Sequence, residues 1–183
     1  MKIRVFDLGN NYITLTSALH PKGIAIVNKV MSIFVDKGYS NLNPIDDILQ
    51  ACNTMKVDCN HVVAFITAAK NYSFLSEDYG KIFISAGIDE SGENAGIGTI
   101  NIAVFLNRSL SINGLLDLVR TITEAKSGAL SDLNLKLTGT VSDAVAVGGL
   151  IGEGNVDFVG PGTKIGRRIA KDVRNTVKLL LSI

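Results

Sequence analysis

In the first third of the chain, stretches rich in β-formers predict strands over Ile3–Leu8, Tyr12–Ala18 and Ile24–Val35, the last with a bend near Asn28-Lys29. Pro44 opens a helical segment, Ile45–Met55, with Asn43 at the capping position and Asp46 and Asp47 in the first turn, where the helix dipole favours acids. His61–Thr67 and Lys81–Ser85 read as strands, and the apolar run Gly96–Leu106 predicts a central one. Over Asn113–Leu133 the period becomes helical, with Leu115, Val119, Ile122, Ala129 and Leu133 on one stripe. Leu137–Val147 reads as a turn-rich lead into a short strand, Ala144–Val147. Gly160–Thr163 is a glycine-rich loop, and Lys164–Leu181 is a closing basic helix. Strands dominate the start and interleave with helices after residue 44. The predicted fold is therefore α/β: one domain over residues 1–183, a mixed β-sheet covered by helices.

Composition narrows what such a domain does. With 183 residues, 46% of them hydrophobic, the chain has material for one well-buried core and not for two large domains. Eighteen basic residues against seventeen acidic ones leave a net charge of +1, which argues against holding nucleic acid by bulk electrostatics. The uncharged runs Cys59–Ala69 and Ala95–Asn107 cover eleven and thirteen residues. Both fall short of the roughly 20 that a membrane helix needs, so no membrane partner is expected. The start, MKIRVFDLGNNY, reaches Asp7 before an apolar core develops; no signal peptide and a cytoplasmic setting are expected. Cys52 and Cys59 have no second pair, and His20 and His61 lie far apart. The cysteines read as free, buried or half-buried thiols, and no metal site is expected.

Lys126 stands near the centre of the apolar stripe of the Asn113–Leu133 helix. A lysine there must snorkel, pair with a carboxylate or lose its proton; alternatively it faces a substrate. Glu124 lies roughly 160° away on the same helical wheel, so one face does not present both. The segment Leu137–Ala144 gathers the hydroxyls of Thr138, Thr140 and Ser142, a glycine and Asp143. Amide hydrolysis needs a nucleophile, a base and donors for a developing oxyanion, and such a turn holds candidates for each; a self-capping polar turn has the same composition. Gly160-Pro161-Gly162-Thr163-Lys164 before a helix could bind an anion, but it lacks the Gly-Lys-Ser/Thr order of a Walker loop. The following Arg167, Arg168, Lys171, Arg174 and Lys178 fit a solvated face. No Gly-x-Ser-x-Gly elbow occurs.

These segments, in order, resemble the adenosylcobinamide amidohydrolases, corrinoid-salvage enzymes of archaea and some bacteria. The likeness runs through Leu15-Thr16-Ser17-Ala18, Val27-Asn28, Val35 to Tyr39, Pro44, Ile66-Thr67-Ala68-Ala69 and Ser85-Ala86-Gly87. Its most specific parts are Gly98-Thr99-Ile100-Asn101-Ile102, Thr123 to Leu130 and Thr138 to Ala144, and Gly162-Thr163-Lys164-Ile165-Gly166 closes the series. Val141-Ser142 stands where a small residue and a threonine are expected; Ser142 keeps the hydroxyl. The resemblance implies hydrolysis of the amide joining aminopropanol to the corrin ring, giving adenosylcobyric acid for coenzyme B12 synthesis. On the matching segments, the expected catalytic residues are Asp143, Ser142, Thr140, Thr138, Lys126 and Glu124. Expected substrate contacts are Ser17, Thr67, Thr99, Asn101, Gly162 and Thr163. No protein-bound cofactor is expected, since the corrinoid carries its own cobalt. The nucleophile, side chain or water, stays open, as does homo-oligomerisation. Two other readings stand beside this one: a corrinoid-binding protein without hydrolysis, and an anion- or nucleotide-binding regulator using the Gly160 loop.

Overall fold

The computed structural model describes residues 1–90 and 94–182. Its elements are β1 (Lys2–Thr16), β2 (Gly23–Phe34), α1 (Pro44–Met55), β3 (Val62–Thr67), β4 (Asn71–Glu77), β5 (Gly80–Glu90), β6 (Asn94–Leu106), α2 (Ile112–Asp132), β7 (Leu137–Thr140), β8 (Ala144–Leu150) and α3 (Lys164–Leu181). The strands form one mixed sheet in the order β3-β2-β1-β8-β6-β5-β4, with β7 paired to β6. Parallel pairs β2–β3 and β6–β8 are bridged by α1 and α2, while the other neighbours on that path run antiparallel. This is the predicted α/β domain with a helix-covered mixed sheet.

The sheet cannot be flat. Six strand spacings make a width of about 29 Å. Yet β3 and β4, at opposite ends of the order, are joined by residues 68–70 alone, a link that spans at most roughly 14 Å. The sheet therefore rolls, and the rings of Phe65 on β3 and Phe83 on β5 stack 5.9 Å apart across its concave side. Strand alternation then assigns each side chain a face. On β6, Ile100, Ile102, Val104 and Leu106 join the core under α2 and α3, whereas Ala103 and Phe105 join the concave core with Tyr12, Phe65 and Phe83. A third cluster packs Ile48, Ala51 and Cys52 of α1 against Met31, Ile33, Val62 and Ala64. The concave face also carries buried polar side chains: Thr14, Thr16, Ser32, Thr67, Ser85, Thr99 and Asn101. All sit in phase with the apolar residues of that face. Ser32 Oγ is fully buried and has no hydrogen-bond partner among the described residues.

Ile3–Leu8 and Tyr12–Ala18 belong to one strand, interrupted by an irregularity between Asp7 and Tyr12 opposite Asn28; β2 itself runs through that point. The strand β4 adds to the predicted elements; Asn71, Ser73, Ser76 and Glu77 dilute its apolar signal at a sheet end. Leu137–Thr140 is a short strand before the turn rather than part of the turn. Asn43 occupies the cap position of α1 but makes no side-chain cap; its amide donates to Asp46 Oδ2 at 2.7 Å. Cys52 and Cys59 are not free thiols. A left-handed Lys56 ends α1, and a 3₁₀ turn at Cys59–His61 brings the two Cα atoms to 5.5 Å, where they form a disulfide.

Candidate functional site

The site is built from α2, β6 and the β7–β8 turn. Ser111 caps α2 by accepting from Gly114 N at 3.1 Å, and burial of the apolar stripe through Leu118, Ile122 and Ala129 turns Lys126 inward, leaving it 7% exposed. Of the outcomes open to such a lysine, the structure shows ion pairing: Nζ lies 2.6 Å from Asp143 Oδ2. The same oxygen accepts from Thr140 N at 3.0 Å, while Oδ1 accepts from Ile100 N at 2.8 Å and from Thr140 Oγ1. A carboxylate has about four lone-pair sites, and here all four are engaged.

Gly139 permits this geometry. A Cβ at that position would overlap Asp143 Oδ2 and stand 2.7 Å from Lys126 Nζ. Next along the turn, Ser142 Oγ donates to Gly98 O at 2.7 Å and lies 2.7 Å from Thr99 Oγ1. With the Ser142 proton spent on Gly98, Thr99 is the donor in that pair. Thr99 and Gly98 then line a cleft of about 230 Å³ with Ala69, Ala86 and Gly87. Gly98 has a φ of 149°, and a Cβ there would overlap the Gly87 carbonyl oxygen. The cleft wall is thus backbone packed on backbone, with the Thr99 hydroxyl bonded to Ser142 at its edge.

The remaining expected residues divide into two groups. Ser17 adjoins the turn: Val145 N donates to Ser17 Oγ at 3.0 Å, and Ser17 N donates to Val145 O at 2.9 Å. Asn101 lies one strand repeat below Thr99 and donates to Ser85 Oγ at 3.2 Å. Thr67 accepts from Ala69 N at 3.0 Å and so fixes the segment that forms the other cleft wall. Thr138 is exposed on β7, its carbonyl accepting from Ser127 Oγ at 3.0 Å. Glu124, Gly162 and Thr163 are elsewhere. Glu124 is exposed and meets Arg120 at 3.6 Å on the outer face of α2. Thr163 caps α3, accepting from Gly166 N at 2.9 Å. Leu180 and Leu181, at the other end of this 18-residue helix, are the ones beside the cleft. That separates the Gly160 loop from Thr99 by about 27 Å of helix.

Sequence reasoning passed over Gly139, the Ile100 amide and the glycine pair Gly87–Gly98. The last had a signal: a glycine beside a threonine inside an apolar strand marks close backbone approach. Among the described residues, no group of three or more His, Cys, Asp or Glu side chains could hold a metal ion, and no helix is long and apolar enough to cross a membrane.

An uncharacterized protein of Methanocaldococcus jannaschii is 33% identical to this chain over 135 residues, 64% of this chain and 52% of that protein. The chain thus spans about half the length of that relative. No solved structure matches it. The sequence profile of the adenosylcobinamide amidohydrolase family matches residues 1–181, and so takes in every segment of the cluster around Asp143. The chain belongs to the adenosylcobinamide amidohydrolase family.

Proposed function

We propose that the protein hydrolyses the amide between the aminopropanol arm and the corrin ring of adenosylcobinamide, releasing adenosylcobyric acid and aminopropanol. One observation carries this reading: three separated stretches, 98–101, 123–130 and 138–144, converge on one hydrogen-bonded cluster at the edge of a cleft. A cleft of about 230 Å³ suits an arm rather than a macrocycle, so the corrin lies across its mouth. In this proposal Thr99 and Ser142 meet the scissile amide, and their hydroxyls turn from their resting acceptors, Ser142 Oγ and Gly98 O, to donate to the oxyanion that forms at its carbonyl. Asp143 and Thr140 hold the turn, and Lys126 fixes the carboxylate; with its lone pairs taken, Asp143 becomes a base only by releasing one of its donors. Ser17, Asn101 and Thr67 support the walls.

The proposal calls for no protein-bound cofactor or metal, because the cobalt arrives in the substrate. It places the reaction in the cytoplasm, with the corrinoid as partner and neither nucleic acid nor membrane involved. The test is incubation with adenosylcobinamide and detection of free aminopropanol. Hydrolysis abolished by Thr99→Val and Ser142→Ala supports the assignment. Tight corrinoid binding with no aminopropanol released leaves a binding protein instead.

A further inference from the structure

Beside the cleft, and sharing Lys37 and the Ala68–Lys70 wall with it, lies a larger groove of about 680 Å³. Its floor is aromatic: Phe34 and Tyr72 have ring centroids 5.3 Å apart, and Phe6 braces Tyr72 edge-on from 5.6 Å. The Tyr72 hydroxyl has no partner among the described residues. Three lysines, Lys2, Lys37 and Lys70, line the groove against one acid, Asp36. Lys37 is paired with Asp89 at 2.5 Å. Lys2 and Lys70 have no ion pair or hydrogen bond among the described residues. Lys2 pairs across β1–β2 with Phe34, which puts both on one face of the sheet; Arg4, opposite Ser32 and without an ion pair or hydrogen bond among the described residues, follows on that face. Unpaired like charges around a concave aromatic surface repel one another unless an anion joins them. A neutral amide arm has no use for them.

We propose that this groove is a binding site for a nucleoside phosphate, its base stacked on one of the two tilted rings, Tyr72 or Phe34, and its phosphate held by Lys2 and Lys70, with Lys37 joining them by leaving Asp89. Every base offers a π-face to such a floor, and lysine serves phosphate as a point charge. The groove does not include the Thr99 hydroxyl, although Lys37 and Lys70 line both it and the cleft, and the proposal does not rest on the amidohydrolase reading.

Calorimetric titration of the full chain with adenosine 5′-monophosphate tests it, with adenosine and inorganic phosphate titrated separately. The expected result is one saturable site for the nucleotide, at least tenfold tighter than for either half alone and weakened by added salt. Lys70→Glu and Lys37→Glu each reduce the affinity at least tenfold. Lys171→Glu, on α3, leaves it within twofold. Thermal unfolding of each variant verifies that it is folded. No saturable nucleotide binding, equal binding of phosphate alone, equal binding of adenosine alone, or indifference to both charge reversals would each overturn the proposal.

Discussion

The turn Thr138–Asp143 and the loop Gly160–Lys164 each combine glycine, hydroxyl and a charged side chain at the start of a regular element. In the turn, the charge points inward: Asp143 accepts four bonds from three elements and neutralises a buried lysine. In the loop, the Thr163 hydroxyl accepts from Gly166 N and donates to Gly160 O, and its business ends there. The difference comes from what lies opposite each segment. Beside the turn stands a strand, β6, with a backbone amide to spare and a helix presenting Lys126. Facing the loop are the first turn of its own helix and, on α2, Arg120 against Gly160 and Asp117, which accepts from Val159 N at 3.0 Å. Composition alone carries no function; the partner across the fold does.

The sharpest way to break this contrast is Asp143→Asn. The side-chain amide turns a donor toward Lys126 Nζ or Thr140 N and leaves a buried ammonium unpaired. Removing one partner of a buried pair costs ~3–5 kcal/mol, and turnover per folded molecule should fall at least ~10²-fold. Chemical denaturation and aminopropanol release read the two effects separately. Turnover near the parent's per folded molecule would make Asp143 purely architectural.

Gly139→Ala comes next. Its Cβ must push Asp143 and Lys126 apart, so we expect a loss of ~1–3 kcal/mol, as for overpacking elsewhere, with lower activity. Gly162→Ala is its counterpart in the loop, where a Cβ meets nothing within 4 Å. Its stability should stay within ~0.5 kcal/mol of the parent and its activity should be unchanged. Between these lies Thr163→Ala, which removes a helix cap and should cost ~1 kcal/mol with full activity. Loss of turnover in Thr163→Ala would bring the distant loop into the site.

The helices were largely legible in the chain, since α3 has the predicted bounds and Lys126 stood out as a charge in an apolar stripe. What completed the site was not. Lys126 and Asp143 are separated by 17 positions, and two of the four donors to the carboxylate are backbone amides, which leave no trace in side-chain type. Glu124 illustrates the opposite case. It shares a motif with Lys126, but a two-residue step on a helix sends it to solvent and to Arg120. The disulfide escaped notice for a similar reason: the spacing of Cys52 and Cys59 shows nothing until a left-handed residue and a 3₁₀ turn fold the chain back.

The position of β8 bears on how the chain is made. It lies between β1 and β6 in the sheet, yet it is the last strand in the sequence. Thr16 waits for Val145, 129 positions later. A ribosome delivers β1 and β6 long before the strand that separates them, so a nascent chain must hold a gap open between two unpaired edges. Such edges are templates for other chains. A translation product stopped just short of Ala144 therefore contains every helix except α3 and every strand except the one that fills the gap, and its aggregation should begin there.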